Sequence, residues 1–251
     1  MDIGGAILAL HGAVFVAAVL QAATGIGFGV IAGPVLLIAL DDGSAVQITI
    51  LLSLLIAAVL APTLLRAADR GLLRRLALGT LAGLPLGIAV FVLLGTDLLK
   101  LLAGASVLFM AALAAGLIAR PAGGGGARGR IGDIGVGVLS GVMSASLAMP
   151  GPVVAARMTA LAHPKDATRA TVLLLFVFSY TAAILLQAGT VGVAGETLTL
   201  TATLAPATLL GIAVGKGCVG WIGERAFRRV IVAVLVATAA GLLISAMAAL
   251  S

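Results

Sequence analysis

Gln21-Ala-Ala-Thr-Gly-Ile-Gly-Phe-Gly29, followed by Gly33-Pro34, is one of two stretches on which the fold turns; the other is Ser144-Ala-Ser-Leu-Ala-Met-Pro-Gly-Pro152. Each interrupts an apolar block too long for one helix: 3–40, with 38 residues, and 132–162, with 31. A membrane span needs about 20 residues. Glycine weakens a helix interior, and proline costs about 3 kcal/mol there. Each block therefore reads as two half-helices joined by a break. Irregular backbone at membrane depth survives only where it is buried in protein or lines a cavity.

Outside these two blocks lie six apolar stretches of single-helix length: 45–65, 72–94, 98–119, 170–188, 198–215 and 227–250. The composition agrees with a chain built almost entirely of spans. Of its 251 residues, 62% are hydrophobic and 10% charged, against about 45–50% and about 25% in soluble domains. So little charge cannot cover a water-facing surface, which excludes a soluble enzyme or a nucleic-acid-binding domain. The net charge of +6 involves no run of five basic residues. The basic residues punctuate apolar stretches instead, as they do in cytoplasmic membrane loops. A single cysteine, Cys218, excludes an intramolecular disulfide and a Cys-cluster metal site. The amino-terminus carries Asp2 and no Lys or Arg, so it is expected to be retained rather than cleaved as a signal peptide.

The chain reads as two halves, each a broken block followed by three helices. A first repeat over 1–119 and a second over 132–251 are joined by a basic, glycine-rich linker, 120–131, around Arg120-Pro-Ala-Gly-Gly-Gly-Gly-Ala-Arg-Gly-Arg130. Pro34 and Pro152 lie 118 residues apart in corresponding breaks; Gly83-x-x-x-Gly87 and Gly211-x-x-x-Gly215 lie 128 apart in corresponding helices. Such small-xxx-small patterns suit close helix crossing and are expected to pack the halves together.

Each broken block either crosses the membrane or dips in and returns, and charge decides between the two. If both cross, Arg66, Arg70, Arg74, Arg75, Arg120, Arg128 and Arg130 share one side. Lys100, Arg157, Lys165, Arg169, Lys216, Arg225, Arg228 and Arg229 share the other: seven against eight. If both are re-entrant hairpins, the second half is inverted. Fourteen basic residues then lie inside and only Lys100 outside, with Asp2, Asp41, Asp42, Asp97 and Glu196. The predicted fold is thus an all-α polytopic membrane protein of two inverted repeats. It has six full spans and two re-entrant hairpins, with both termini outside. Secondary transporters use such a plan, with half-helix ends meeting near the bilayer midplane.

At each tip a returning half-helix begins, near Phe28–Pro34 and near Pro150–Val153. Helix amino-termini offer unpaired N–H groups and about half a positive charge, which suits an anion. Gly25, Gly27, Gly29 and Gly151 would admit close backbone approach, with Pro150 at the second turn. Gln21, Thr24, Ser144 and Ser146 would add side-chain hydrogen bonds. The same small residues also permit tight helix packing; two matching tips favour a substrate site. Arg157 is the one basic side chain inside an apolar block away from its ends. It is either a substrate ligand or a side chain snorkelling to the interface near His163. His11 is expected to be a satisfied buried imidazole, and two such distant histidines make no metal site. No carboxylate is expected inside the apolar blocks, so the acidic chains of proton pumps are missing.

These residues resemble the sulfite exporter TauE/SafE family of membrane transporters. The likeness rests on Ala23–Leu36 (ATGIGFGVIAGPVL), Ser144–Pro164 (SASLAMPGPVVAARMTALAHP), the Arg169-Ala-Thr171 opening of the next helix and the paired Gly-x-x-x-Gly helices. It spans both halves in order. Two departures are a first motif less glycine-dense than the family's usual Gly-Gly run and Met149-Pro150-Gly151 in place of part of it in the second. The resemblance implies transport of small sulfur-containing or carboxylated anions, without cofactor or metal. It also implies a bacterial or archaeal cytoplasmic membrane, with the lipid bilayer as surroundings and no nucleic-acid partner.

The leading expectation is a facilitator exporting sulfite, an organosulfonate or a short carboxylate. An inside-negative potential favours anion exit by about 2.3 kcal/mol per charge per 100 mV. The alternative is an anion channel. An intramembrane enzyme would need an acid cluster or a nucleophile–base pair, and a metal permease would need carboxylate, His or Cys ligands.

Overall fold

The computed structural model describes residues 3–25, 27–117, 127–218 and 224–250. The described residues form ten helices and no strand. The first half contributes α1 (Ile3–Thr24), α2 (Phe28–Leu40), α3 (Ser44–Leu64), α4 (Arg70–Leu93) and α5 (Thr96–Ala115). The second contributes α6 (Ala127–Leu147), α7 (Gly151–Ala160), α8 (Lys165–Thr190), α9 (Gly195–Cys218) and α10 (Glu224–Leu250). Among the described residues five helices are long and apolar enough to cross a membrane: α3, α4, α5, most of α8 and most of α9. The expected sixth span coincides with α10, whose described side chains include an apolar stretch over Val232–Met247. Large apolar side chains such as Leu78, Leu81, Leu86, Leu93 and Leu185 face outward, while Gln21, Thr49, Ser53, Thr80, Ser144 and Gln187 are buried. An apolar exterior around a polar interior is the arrangement hydrocarbon demands.

Both expected breaks are present. The first lies between α1 and α2, where Gly25 (φ 84°) and Gly27 (φ 136°) adopt backbone that an L side chain resists. Pro34 is not the breaker; it sits inside α2. The second break uses Ala148 in the left-handed region (φ 57°) and Pro150 as the residue before α7. Pro152, at the second helical position, removes an N–H that would have had no intrahelical partner. Helices extend past the apolar blocks: α6 begins five residues before 132 and α8 five before 170. Charge marks where lipid ends, not where backbone hydrogen bonding ends. Residues 120–126 of the expected linker lie outside the described residues.

Glycine registers set the helix directions. On α4, Gly79, Gly83 and Gly87 press against Ile134, Val138 and Val142 of α6 in turn, so the two helices run parallel. Gly137 and Gly141 of α6 answer against Leu76 and Thr80 of α4. On α9, Gly211 and Gly215 press against Phe15 and Val19 of α1, again in parallel. Each Gly-x-x-x-Gly helix therefore packs on the first arm of the other half, with the backbone contact that small residues allow. Helices α3 and α8 run antiparallel. Gln47 Nε2 donates to the Gly192 carbonyl at one end (2.8 Å), and the Asp69 N–H donates to Thr171 Oγ1 at the other (3.0 Å).

These directions resolve the broken blocks into hairpins. Within the second, Ser140 Oγ donates to the Pro150 carbonyl and Arg157 reaches Asp133, so α7 runs back along α6. In the first, α1 shares its starting end with α9, and α2 returns there, with Asp41 beside Lys100 at the start of α5. The first hairpin opens at the end where α9 begins; the second opens at the end where α4 and α8 begin.

Candidate functional site

The two tips meet inside the bundle. A Cβ on Gly29, in the first turn of α2, would collide with the Ala148 carbonyl of the second tip. Gly33, one turn on, lies against Met149 and Thr49. Tyr180 of α8 donates its hydroxyl to the same Ala148 carbonyl (2.9 Å) and is fully buried. The amino-terminal turn of α2 and the 148–150 turn are thus in direct contact, with backbone meeting backbone.

Around this junction two predicted polar side chains are buried with a group left unpaired. Gln21 Oε1 accepts from the Phe28 N–H (3.1 Å), leaving Nε2 unpaired although the residue is fully buried. Ser144, 123 residues later, holds the equivalent place on α6 and its Oγ is also buried and unpaired. An orphaned polar group of this kind costs about 1–3 kcal/mol, which a ligand would recover. Ser146 is different: its Oγ donates back to the Val142 carbonyl (2.7 Å) and is spent within its own helix. Gly25 and Gly27 form the first turn, and Gly151 opens α7. The Pro150 carbonyl serves Ser140. Thr24 closes α1, and its side chain lies outside the described residues.

Arg157 is not brought to the tips. Its Nε donates to Asp133 Oδ1 (2.7 Å) and its Nη2 to the Gly129 carbonyl (2.9 Å), at the open end of the second hairpin. The same carboxylate takes Arg75 Nε on Oδ2 (2.8 Å), so one buried Asp joins α4, α6 and α7. The block interiors are expected to hold no carboxylate, yet Asp133, at the edge of its block, is buried. Asp133 is the second residue of its block and reads from hydropathy as an edge. Its pairing about the hairpin was nonetheless encoded: Asp133–Arg157 and Ser140–Pro150 are both centred on position 145. His11 lies between the carbonyls of Ile7 and Thr203, away from the tips. Among the described residues no group of three His, Cys, Asp or Glu could hold a metal ion.

Three residues of α8 at the tips had no site role in the sequence reading: Tyr180 and Gln187, which it did not single out, and Arg169, which it read only as the opening of a helix. Gln187 Nε2 donates to the Ala145 carbonyl of the second tip (2.7 Å). Arg169 Nη2 donates to the Ala22 carbonyl of the first, and Gly25 packs against the Arg169 stem. By hydropathy Arg169 belongs to a charged loop. The helix that starts at Lys165 carries it against the bundle instead.

A family model described as Sulfite exporter TauE/SafE matches residues 10–242, a range that takes in both breaks and extends into α10. The chain belongs to the sulfite exporter TauE/SafE family. Neither curated proteins nor solved structures give a further match. As a TauE/SafE member with five long apolar helices among its described residues, it is a multi-pass membrane transporter and not an enzyme. The family motif resemblance covers both of the breaks that meet here.

Proposed function

We propose that this TauE/SafE protein carries a small oxyanion outward across a bacterial or archaeal cytoplasmic membrane, past the meeting point of its two hairpin tips. Sulfite, organosulfonates and short carboxylates are the class. The observation that carries the reading is the paired orphaning of Gln21 Nε2 and Ser144 Oγ. They stand at equivalent points on the first arms of two hairpins whose tips touch. Buried donors beside the amino-termini of α2 and α7 suit an anion.

The repeats are inverted in this reading, 1–119 against 132–251 about the 120–131 linker, and both termini face outward. Support comes from the opposed openings of the hairpins and from the basic residues near the second opening, Arg70, Arg74, Arg75 and Arg157. That opening is then cytoplasmic. Lys100, the single basic residue assigned outside, lies buried between Asp41 and Asp97. Export follows from the membrane potential, which drives an anion outward by about 2.3 kcal/mol per charge per 100 mV. The Gly29–Ala148 contact separates the tips' two approaches, which favours a gated carrier over an open channel.

Proteoliposomes loaded with sulfite, methanesulfonate or acetate provide the test. The expected result is anion efflux that accelerates when a potassium diffusion potential makes the interior negative. Absence of flux for all three defeats the reading. A reporter that works only in the cytoplasm and is active when fused at Ser251 would defeat the orientation.

A further inference from the structure

The two tips differ in the polarity they leave free. Gln21 can face the Phe28 N–H only with its oxygen, so the group it leaves free is the Nε2 donor. Gln187 can face the Ala145 carbonyl only with its nitrogen, so the group it leaves free is the Oε1 acceptor. These orientations follow from the fixed polarity of the backbone partners rather than from an arbitrary choice of amide rotamer. Ala22 and Ala145 are themselves equivalent, 123 residues apart, and each carbonyl takes a donor from α8. At the first tip that donor is a guanidinium; at the second it is a neutral amide.

Arg169 adds more than a cap. One nitrogen, Nη2, serves the Ala22 carbonyl; Nε is buried and has no acceptor. Among the described residues no carboxylate lies within ion-pair distance of it, and Asp166, one turn earlier, is exposed. The first tip therefore gathers a permanent positive charge, an unpaired guanidinium N–H, an unpaired amide N–H and the amino-terminus of α2. The second tip gathers a hydroxyl, a free acceptor and the amino-terminus of α7, but no charged side chain. Arg169 and Gln187 lie 18 residues apart on α8, about 27 Å, so one small anion cannot touch both.

We propose that the first tip is the anion-docking station, with Arg169 supplying the charge and Gln21 a directed hydrogen bond to the same oxyanion group, and that the second tip is a neutral station further along the path. The proposal rests on the reading that the chain carries small oxyanions past its tips. The ligand class is a sulfite, sulfonate or carboxylate head with at least two acceptor oxygens, one for each side chain.

Two substitutions separate recognition from structure. R169Q keeps a donor for the Ala22 carbonyl but removes the charge. Q21E keeps an acceptor for the Phe28 N–H but replaces the free donor with a negative oxygen. Binding of sulfite and of methanesulfonate to the purified full chain is measured by titration, alongside the melting temperature without ligand. R169Q is expected to weaken both by about 10- to 100-fold, the worth of a hydrogen bond to a charged group. R169K should recover some of the loss, and Q21E should abolish binding. Gln187→Leu should change affinity far less than R169Q. Wild-type affinity in folded R169Q or folded Q21E overturns the assignment; should R169Q not fold, Q21E alone decides it. A wild-type chain that neither binds these anions nor carries them in proteoliposomes defeats the transport reading itself. Wild-type flux with unaltered R169Q or Q21E affinity defeats only the docking station.

Discussion

At the mouth of the first hairpin one lysine sits between two aspartates; at the mouth of the second one aspartate sits between two arginines. Lys100 joins Asp41, at the end of α2, to Asp97. Asp133 joins Arg157, on the returning α7, to Arg75. In each cluster the central side chain is only 4% exposed, and in each it ties a short returning arm to its surroundings. The clusters carry opposite net charge, −1 at the first mouth and +1 at the second, the sense that a negative cytoplasmic interior favours. The flanking groups differ more. Asp41 and Asp97 are 68% and 38% exposed, whereas Arg75 and Arg157 are 32% and 16%. The first clasp is half in water; the second is mostly enclosed.

That contrast sets the largest expected effect. Asp133→Asn strips the charge from the centre of the enclosed cluster and leaves two arginines facing one another, with Arg157 poorly hydrated. Loss of one partner from a buried pair costs about 3–5 kcal/mol, and unfolding of the purified protein in detergent should show a loss of that order. Lys100→Met removes the centre of the open cluster, where water reaches both aspartates. Its cost is expected to be roughly 1 kcal/mol, nearer the surface-pair range. Equal losses in the two variants would break the comparison. Arg157→Ala should fall between them, because Asp133 keeps Arg75.

The tips offer a second contrast. The first turn is built from glycines at positive φ, the second from Ala148 and prolines. Where they touch, Gly29 has no room for a methyl group against the Ala148 carbonyl. Gly29→Ala is expected to push the tips apart at an overpacking cost of about 1–3 kcal/mol. It should slow anion flux while leaving Asp133 and Lys100 in their clusters. Flux and melting temperature both at wild-type values would show that the contact does not govern passage.

Much of this was legible before any coordinates. Block length exposed both breaks, glycine and proline located them, and the repeated Gly-x-x-x-Gly pairs marked the helices that join the halves. What could not be read were the partners of charges. Hydropathy treats a charged residue as a mark of the surface, yet Lys100, Asp133 and Arg169 are drawn inward by groups on other helices. Arg157 drew notice because it stood alone in its block, and two roles were open to it. Its actual partner, Asp133, looked like the block's edge. Only the antiparallel path of α6 and α7 brings 133 and 157 together. Arg169 was read as opening its helix but not as reaching Ala22, since the packing of that helix, not the apolar run, decides how far a residue penetrates.

The smallest effect tests whether glycine on the first arm serves packing everywhere or only at defined contacts. On α1, Gly12 has nothing within 4 Å of where a Cβ would stand, and it lies in helix. Along α4, Gly83 would drive a Cβ into the Val138 carbonyl of α6. Alanine is better than glycine in a helix interior by about 0.5–1 kcal/mol, so Gly12→Ala should stabilise the protein by up to about that amount without altering flux. Gly83→Ala gains the same propensity but must force the α4 and α6 backbones apart, and the cost of opening that contact outweighs it. A thermal melt that rises for Gly12→Ala and falls for Gly83→Ala separates glycines that hold helices together from one that merely occupies a turn. If both melts rise, the close α4–α6 contact is looser than backbone-to-backbone packing requires, and the glycine registers lose their force in fixing helix direction.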